Sequence, residues 1–97
     1  MGTSQLEGIS PQVLRASLIT LSTVEKDALK KFFLKRKTWC DDRTTRNERL
    51  FDKQWVVCQR MGIKEEILFT VSNCLLNRER NAEILRVIEG ELNVKAS

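Results

Sequence analysis

Apolar residues recur along this chain at intervals of three and four, the period of a helix buried on one side. Ser10-Pro11 opens the first such segment: a hydroxyl that can cap, then a proline at the first helical position, where a missing N–H costs nothing. Leu14, Leu18 and Leu21 form its inward stripe. Ser22 followed by Glu25 is a capping box and predicts a second helix of about fifteen residues. Val24, Ala28, Leu29, Phe32 and Phe33 share roughly half of its circumference. The stretch from Lys37 to Thr44 reads as a connection, so Trp39 and Cys40 are expected in a loop. Thr45 with Glu48 repeats the capping-box pattern and starts a third helix that reaches Met61, with Gly62 as its left-handed stop. A fourth helix is predicted from about Ile63 to Leu76. A polar turn follows at Asn77 to Arg80, and Asn81 is placed to cap a last helix with Ile84, Leu85, Ile88 and Leu92 inward.

No segment alternates apolar and polar residues for six positions, and the dipeptides that favour hairpin turns (NG, DG, GG) are missing. The expected fold is therefore all-α, a compact single-domain bundle of about five helices. Residues 10–92 form the helical domain, 1–9 a flexible leader and 93–97 a loose C-terminal tail. Gly2 invites N-myristoylation, but Leu6 stands where that pattern asks for Ser or Thr.

Composition narrows the chemistry. The chain has 97 residues, 41% of them apolar, enough for one core. No apolar run approaches the about 20 residues a membrane span needs, and no basic segment followed by an apolar run suggests a secretory signal. Three cysteines, Cys40, Cys58 and Cys74, form no CxxC pair, which favours a reducing, intracellular setting, cytoplasmic or nuclear, over a disulfide framework. Histidine is absent, which removes the commonest metal ligand and general base together. No metal site, cofactor or small-molecule substrate is implied. An enzyme would have to draw on Cys40 or the Asp41/Asp42 pair; with no nucleophile motif and no phosphate loop, the expectation is a protein without catalytic residues.

Charge is distributed unevenly. Between Lys26 and Lys53 lie ten of the seventeen Lys/Arg and five of the thirteen Asp/Glu, so the whole net +4 belongs to the middle third. A field confined to one segment points to an acidic partner. At about 100° per residue, Arg46, Arg49, Lys53 and Arg60 fall within one sector of the third helix about 60° wide. Leu50, Val57, Cys58 and Met61 are read as its inward arc, with Phe51 and Trp55 at the edge. Arg49 and Lys53 are like charges at i,i+4, a repulsion that an anionic ligand relieves. On the second helix Lys26, Lys30 and Lys37 form an outward stripe opposite the phenylalanines, and the two stripes merge if the helices are neighbours, as a short connection suggests. Trp39, beside these bases, is either a plug between helices or a stacking residue.

The partner-binding candidates are thus Arg46, Arg49, Lys53, Arg60, Lys26, Lys30, Lys37 and Trp39. An acidic protein surface or helix is the first choice of partner, and an RNA or DNA backbone is the alternative. An anionic membrane comes third. A second candidate surface is apolar: Phe69 and Leu76 point away from the core stripe of the fourth helix, and Leu34 and Val56 lie off theirs. Central burial of the fourth helix is the competing explanation.

Three local resemblances exist. Met61-Gly62-Ile63 is similar to the Met-Gly-Phe loop of ubiquitin-associated domains, and Leu21 to Phe33 resembles the second helix of pyrin domains. A small basic helical chain opening Met1-Gly2 resembles retroviral matrix domains, which implies membrane-surface binding. Each covers too little of the pattern to name a family.

Overall fold

The computed structural model describes residues 9–96. The leader expected over the first nine residues, with Gly2 and Leu6, lies outside the described residues except for Ile9. Helix α1 (Pro11–Ile19) starts behind Ser10, whose hydroxyl accepts from the Val13 N–H at 3.3 Å. Helix α2 (Thr23–Asp41) starts behind Ser22 with both halves of the capping box closed: the Ser22 N–H donates to Glu25 Oε1 at 2.8 Å, and the Glu25 N–H donates to Ser22 Oγ at 3.2 Å. Helix α3 (Thr45–Arg60) is capped one residue earlier than the sequence pattern suggests, by Thr44, whose hydroxyl accepts from the Asn47 N–H. It ends in a Schellman motif. The Gly62 N–H donates to the Gln59 carbonyl, the Ile63 N–H to the Cys58 carbonyl, and Gly62 sits at φ +87°.

Helix α4 (Glu65–Asn73) is shorter than expected and has no side-chain cap; Glu65 and Glu66 in its first turn complement the positive end of its dipole. Turns carry the chain to α5 (Ala82–Leu92). Asn81 does not cap α5. Its side-chain amide donates back to the Asn77 carbonyl at 2.8 Å. Among the described residues there are five helices and no strand, so the chain is an all-α bundle.

Two helix pairs build the bundle. α2 and α3 make the most extensive contact, α1 lies on α5, and α4 touches α2, α3 and α5. The α2–α3 pair is antiparallel: Trp39 late in α2 meets Phe51, Phe32 meets Phe51 and Trp55, and the Ala28 carbonyl meets Gln54 and Cys58. Five of the six aromatic side chains form one cluster at this junction. Ring centroids lie 4.8 Å apart for Phe32–Phe51, 5.5 Å for Phe32–Trp55, 6.1 Å for Trp39–Phe51 and 5.3 Å for Trp55–Phe69. Phe33 is fully buried beside Leu14, Leu18, Leu29, Leu68, Val71 and Ile88 in the same core.

Several expectations need correction. Helix α2 does not stop near Lys37; it runs on to Asp41, so Trp39 and Cys40 are helical, and only Asp42 to Thr44 connect it to α3. Docking of the Trp39 ring on Phe51 supplies the reason, since nothing in Lys37 to Asp41 breaks a helix. Val24 is 67% exposed, because it belongs to the first turn and precedes the contact with α3. On α3, Leu50 and Val57 are exposed and Phe51 is buried, so the inward arc is turned toward the aromatic cluster. Residues 93–96 do not hang loose. Val94 and Ala96 are buried, Arg78 donates to the Ala96 carbonyl at 3.1 Å, and the Ala96 N–H donates to Glu89 at 2.9 Å.

Candidate interaction face

The outer side of α3 carries the candidate. Phe51, Trp55 and Cys58 fix which side of the helix faces inward. Arg46, Arg49, Lys53 and Arg60 lie about 180° from that line. All four are exposed, and none forms an ion pair with a described carboxylate. The ion pairs among the described residues lie elsewhere: Arg15–Glu91 at 4.0 Å, Lys31–Asp27 at 3.2 Å and Arg78–Asp41 at 3.6 Å. Glu48 and Asp52 share α3 with these cations but centre about 110° around it from them and form no ion pair with them.

The second stripe lies elsewhere. α3 packs against the side of α2 that carries Ala28, Phe32 and Trp39. Lys26, Lys30 and Lys37 are about 160° around α2 from that side, and each is half-buried. The Lys37 ammonium donates to the Lys95 carbonyl at 3.4 Å, so it serves the C-terminal segment. The two stripes therefore do not merge; the pattern in the sequence carries no information on which shoulder of α2 the third helix chooses. The α2 cations closer to the α3 side are Lys31, Lys35 and the buried Arg36, and Lys31 is engaged by Asp27.

Trp39 is a plug. It stacks on Phe51 with an interplanar angle of 8°, and the guanidinium groups of Arg36 and Arg43 lie 4.4 and 5.5 Å from its ring centre. Arg36 was not singled out by its sequence context, where it looks like one more base at a helix end. It is 7% exposed, faces no carboxylate, and donates through Nε to the Ser72 carbonyl at 3.1 Å. Ser72 is among the last four residues of α4, whose carbonyls lack an intrahelical partner. Arg36 thus neutralises the negative end of α4 while its plane rests on Trp39 and Phe51. Burial lowers its pKa.

The apolar candidates do not form one surface. Phe69 is half-buried, edge-on to Trp55, and belongs to the aromatic cluster. Leu34 and Val56 are exposed but each points away from the α2–α3 contact, off opposite sides of the hairpin, and Leu76 lies beyond α4. α4 is central: Ile67, Leu68, Thr70, Val71 and Ser72 are all buried. Thr70 satisfies its hydroxyl by donating to the Glu66 carbonyl and accepting from the Ile9 N–H.

Cys58 and Cys74 are buried, and burial pushes their thiols up to about 11 and about 12. Cys40 is half-buried, and Asp41 is held by Arg78. Among the described residues no group of His, Cys, Asp and Glu is placed to hold a metal ion, and no helix is long and apolar enough to cross a membrane. Compared with family models, curated proteins and solved structures, the chain has no significant match in any of the three.

Proposed function

We propose that this chain is a non-enzymatic interaction module that docks an acidic protein partner on the outer face of α3. The observation that carries the reading is the company kept by the cations. Arg46, Arg49, Lys53 and Arg60 are exposed without an ion pair among the described residues, and Leu50 and Val57, 38% and 43% exposed, are interleaved with them. A phosphate backbone has use for the cations and none for the apolar side chains. A protein surface uses both, because apolar contact supplies affinity while charge supplies orientation and rate.

The test is a charge reversal. Arg49→Glu/Lys53→Glu changes two exposed side chains, so the fold should survive with an unchanged circular dichroism spectrum. In cross-linking pull-downs the variant is expected to lose the acidic proteins that the unmodified chain retains; recovery of the same proteins in the same amounts refutes the reading. A labelled RNA duplex titrated at 50 and 200 mM salt addresses the nucleic-acid alternative. Contact with about four phosphates predicts a fall of roughly two decades in affinity between the two. Such a fall, with tight binding at the lower salt, assigns the face to nucleic acid instead.

A further inference from the structure

Five exposed positions of α3, Arg46, Leu50, Lys53, Val57 and Arg60, follow one another at spacings of four, three, four and three. That is the spacing of a coiled-coil seam, a line on an α-helix that a second helix can follow over several turns. The inward side of α3 has a seam of the same kind in Phe51, Gln54, Trp55 and Cys58, and α2 occupies it: Gln54 and Cys58 both donate to the Ala28 carbonyl, at 3.0 and 3.5 Å. The outer seam is covered by no described element.

We infer that the outer seam of α3 receives a single amphipathic acidic helix from a partner protein, with apolar side chains against Leu50 and Val57 and carboxylates against Arg46, Lys53 and Arg60. This rests on the acidic-partner reading and specifies the shape of that partner. Arg46 to Arg60 spans about 21 Å of helix, so about two heptads of partner make the contact. Leu50 and Val57 are about 10.5 Å apart along the axis. A helix brings residues seven apart to that spacing on one face. A strand, at about 3.4 Å per residue, covers the distance in three residues, and side chains three apart in a strand point to opposite faces, so it meets one apolar rung and misses the other. Charge decides against a second copy of this chain, which would bring Arg46, Arg49, Lys53 and Arg60 against the same four cations. Arg49, beside the seam, is placed for a flanking carboxylate of the kind that fixes orientation in paired helices.

Two synthetic 21-residue peptides test this. The first carries Leu and Glu alternating along one heptad seam. The second has the same composition and helicity, with those residues permuted so that no seam exists. By fluorescence anisotropy, the seam peptide is expected to bind the full chain at least tenfold more tightly than its isomer. Leu50→Ser/Val57→Ser should erase that difference, and Lys53→Glu/Arg60→Glu should weaken both peptides. The peptide comparison on the unmodified protein stands whether or not a variant folds. Equal binding of both peptides, still lost in Lys53→Glu/Arg60→Glu, overturns the seam and leaves acidic docking intact. Failure of both peptides to bind removes both readings. Displacement of the seam peptide by an RNA duplex that Leu50→Ser/Val57→Ser still binds hands the face to nucleic acid. A dimer in sedimentation that Leu50→Ser/Val57→Ser dissolves hands it to a second copy.

Discussion

Replacing Arg36 by methionine keeps the length of the side chain and deletes the guanidinium. Three interactions go with it. The Nε–H bond to the Ser72 carbonyl has a charged donor, a class worth about 1.5–3 kcal/mol. The contacts of Arg36 with Trp39 at 4.4 Å and Phe51 at 5.2 Å belong to a class worth about 0.5–2 kcal/mol. The compensation for the negative end of α4 disappears as well, leaving a terminal carbonyl of that helix without a donor. Against these stands relief of the desolvation that lowers the Arg36 pKa, a penalty that in fully buried pairs can cancel the whole gain. Here no buried side-chain nitrogen or oxygen lacks a partner among the described residues, so the penalty is incomplete. The net expectation for Arg36→Met is a loss of about 1–3 kcal/mol, or a fall of about 5–15 °C in Tm for a domain of this size. Arg36→Lys should fall between the two, since it retains charge but has no plane to lay on Trp39. Urea and thermal unfolding followed by far-UV circular dichroism measure both. A methionine variant as stable as the unmodified protein, or more so, would show that Arg36 is a tolerated buried charge and refute its role as the cap of α4.

Three further outcomes are expected. Phe51→Ala removes the ring shared by Phe32, Trp39 and Trp55 and should cost about 3–5 kcal/mol in urea unfolding; a loss below 1 kcal/mol would mean the cluster repacks without it. Ser22→Ala opens the capping box of α2 and should cost about 1 kcal/mol, with no effect on peptide binding at α3. The thiols of Cys58 and Cys74 titrate at about 11 and about 12 in the folded chain and from the ordinary value of 9.0 when unfolded. The folded state therefore holds their protons longer, and their contribution is intact below pH 9 and lost as pH rises toward the folded values. The slope is about 1.4 kcal/mol per pH unit per thiol. Urea midpoints at pH 8.5 and 10 should show that fall shrinking in Cys58→Ala/Cys74→Ala; an equal slope in the variant places the loss on other groups.

Local chemistry announced the helices well where a single residue decides the matter. Ser10-Pro11, Ser22 with Glu25, and Gly62 act through their own side chains or lack of one, and each terminus is where the pattern puts it. What depends on distant partners was hidden. Nothing near Trp39 says that the helix continues, because the stacking ring, Phe51, is twelve residues away. On α3 two apolar arcs compete, Leu50 with Val57 and Phe51 with Trp55 and Cys58, and period alone cannot choose between them. Packing chose the aromatic arc, which left the aliphatic one outside among the cations. The sector of Arg46, Arg49, Lys53 and Arg60 was legible because it needs only that Thr45–Arg60 be helical. Its expected merger with Lys26, Lys30 and Lys37 failed because α3 packs on the side of α2 about 160° away from them, a choice that no local pattern records. The clasp on residues 93–96 draws on Arg78, Lys37 and Glu89, three charges that look solvated in sequence.

Both tryptophans of this chain sit in the α2–α3–α4 aromatic cluster, and tyrosine is absent. The protein's ultraviolet emission is therefore blind to the α1–α5 half. An emission-based melting curve follows loosening of one junction, while far-UV dichroism counts all five helices. Any interval between the two midpoints then measures how far the α1–α5 pair lets go on its own.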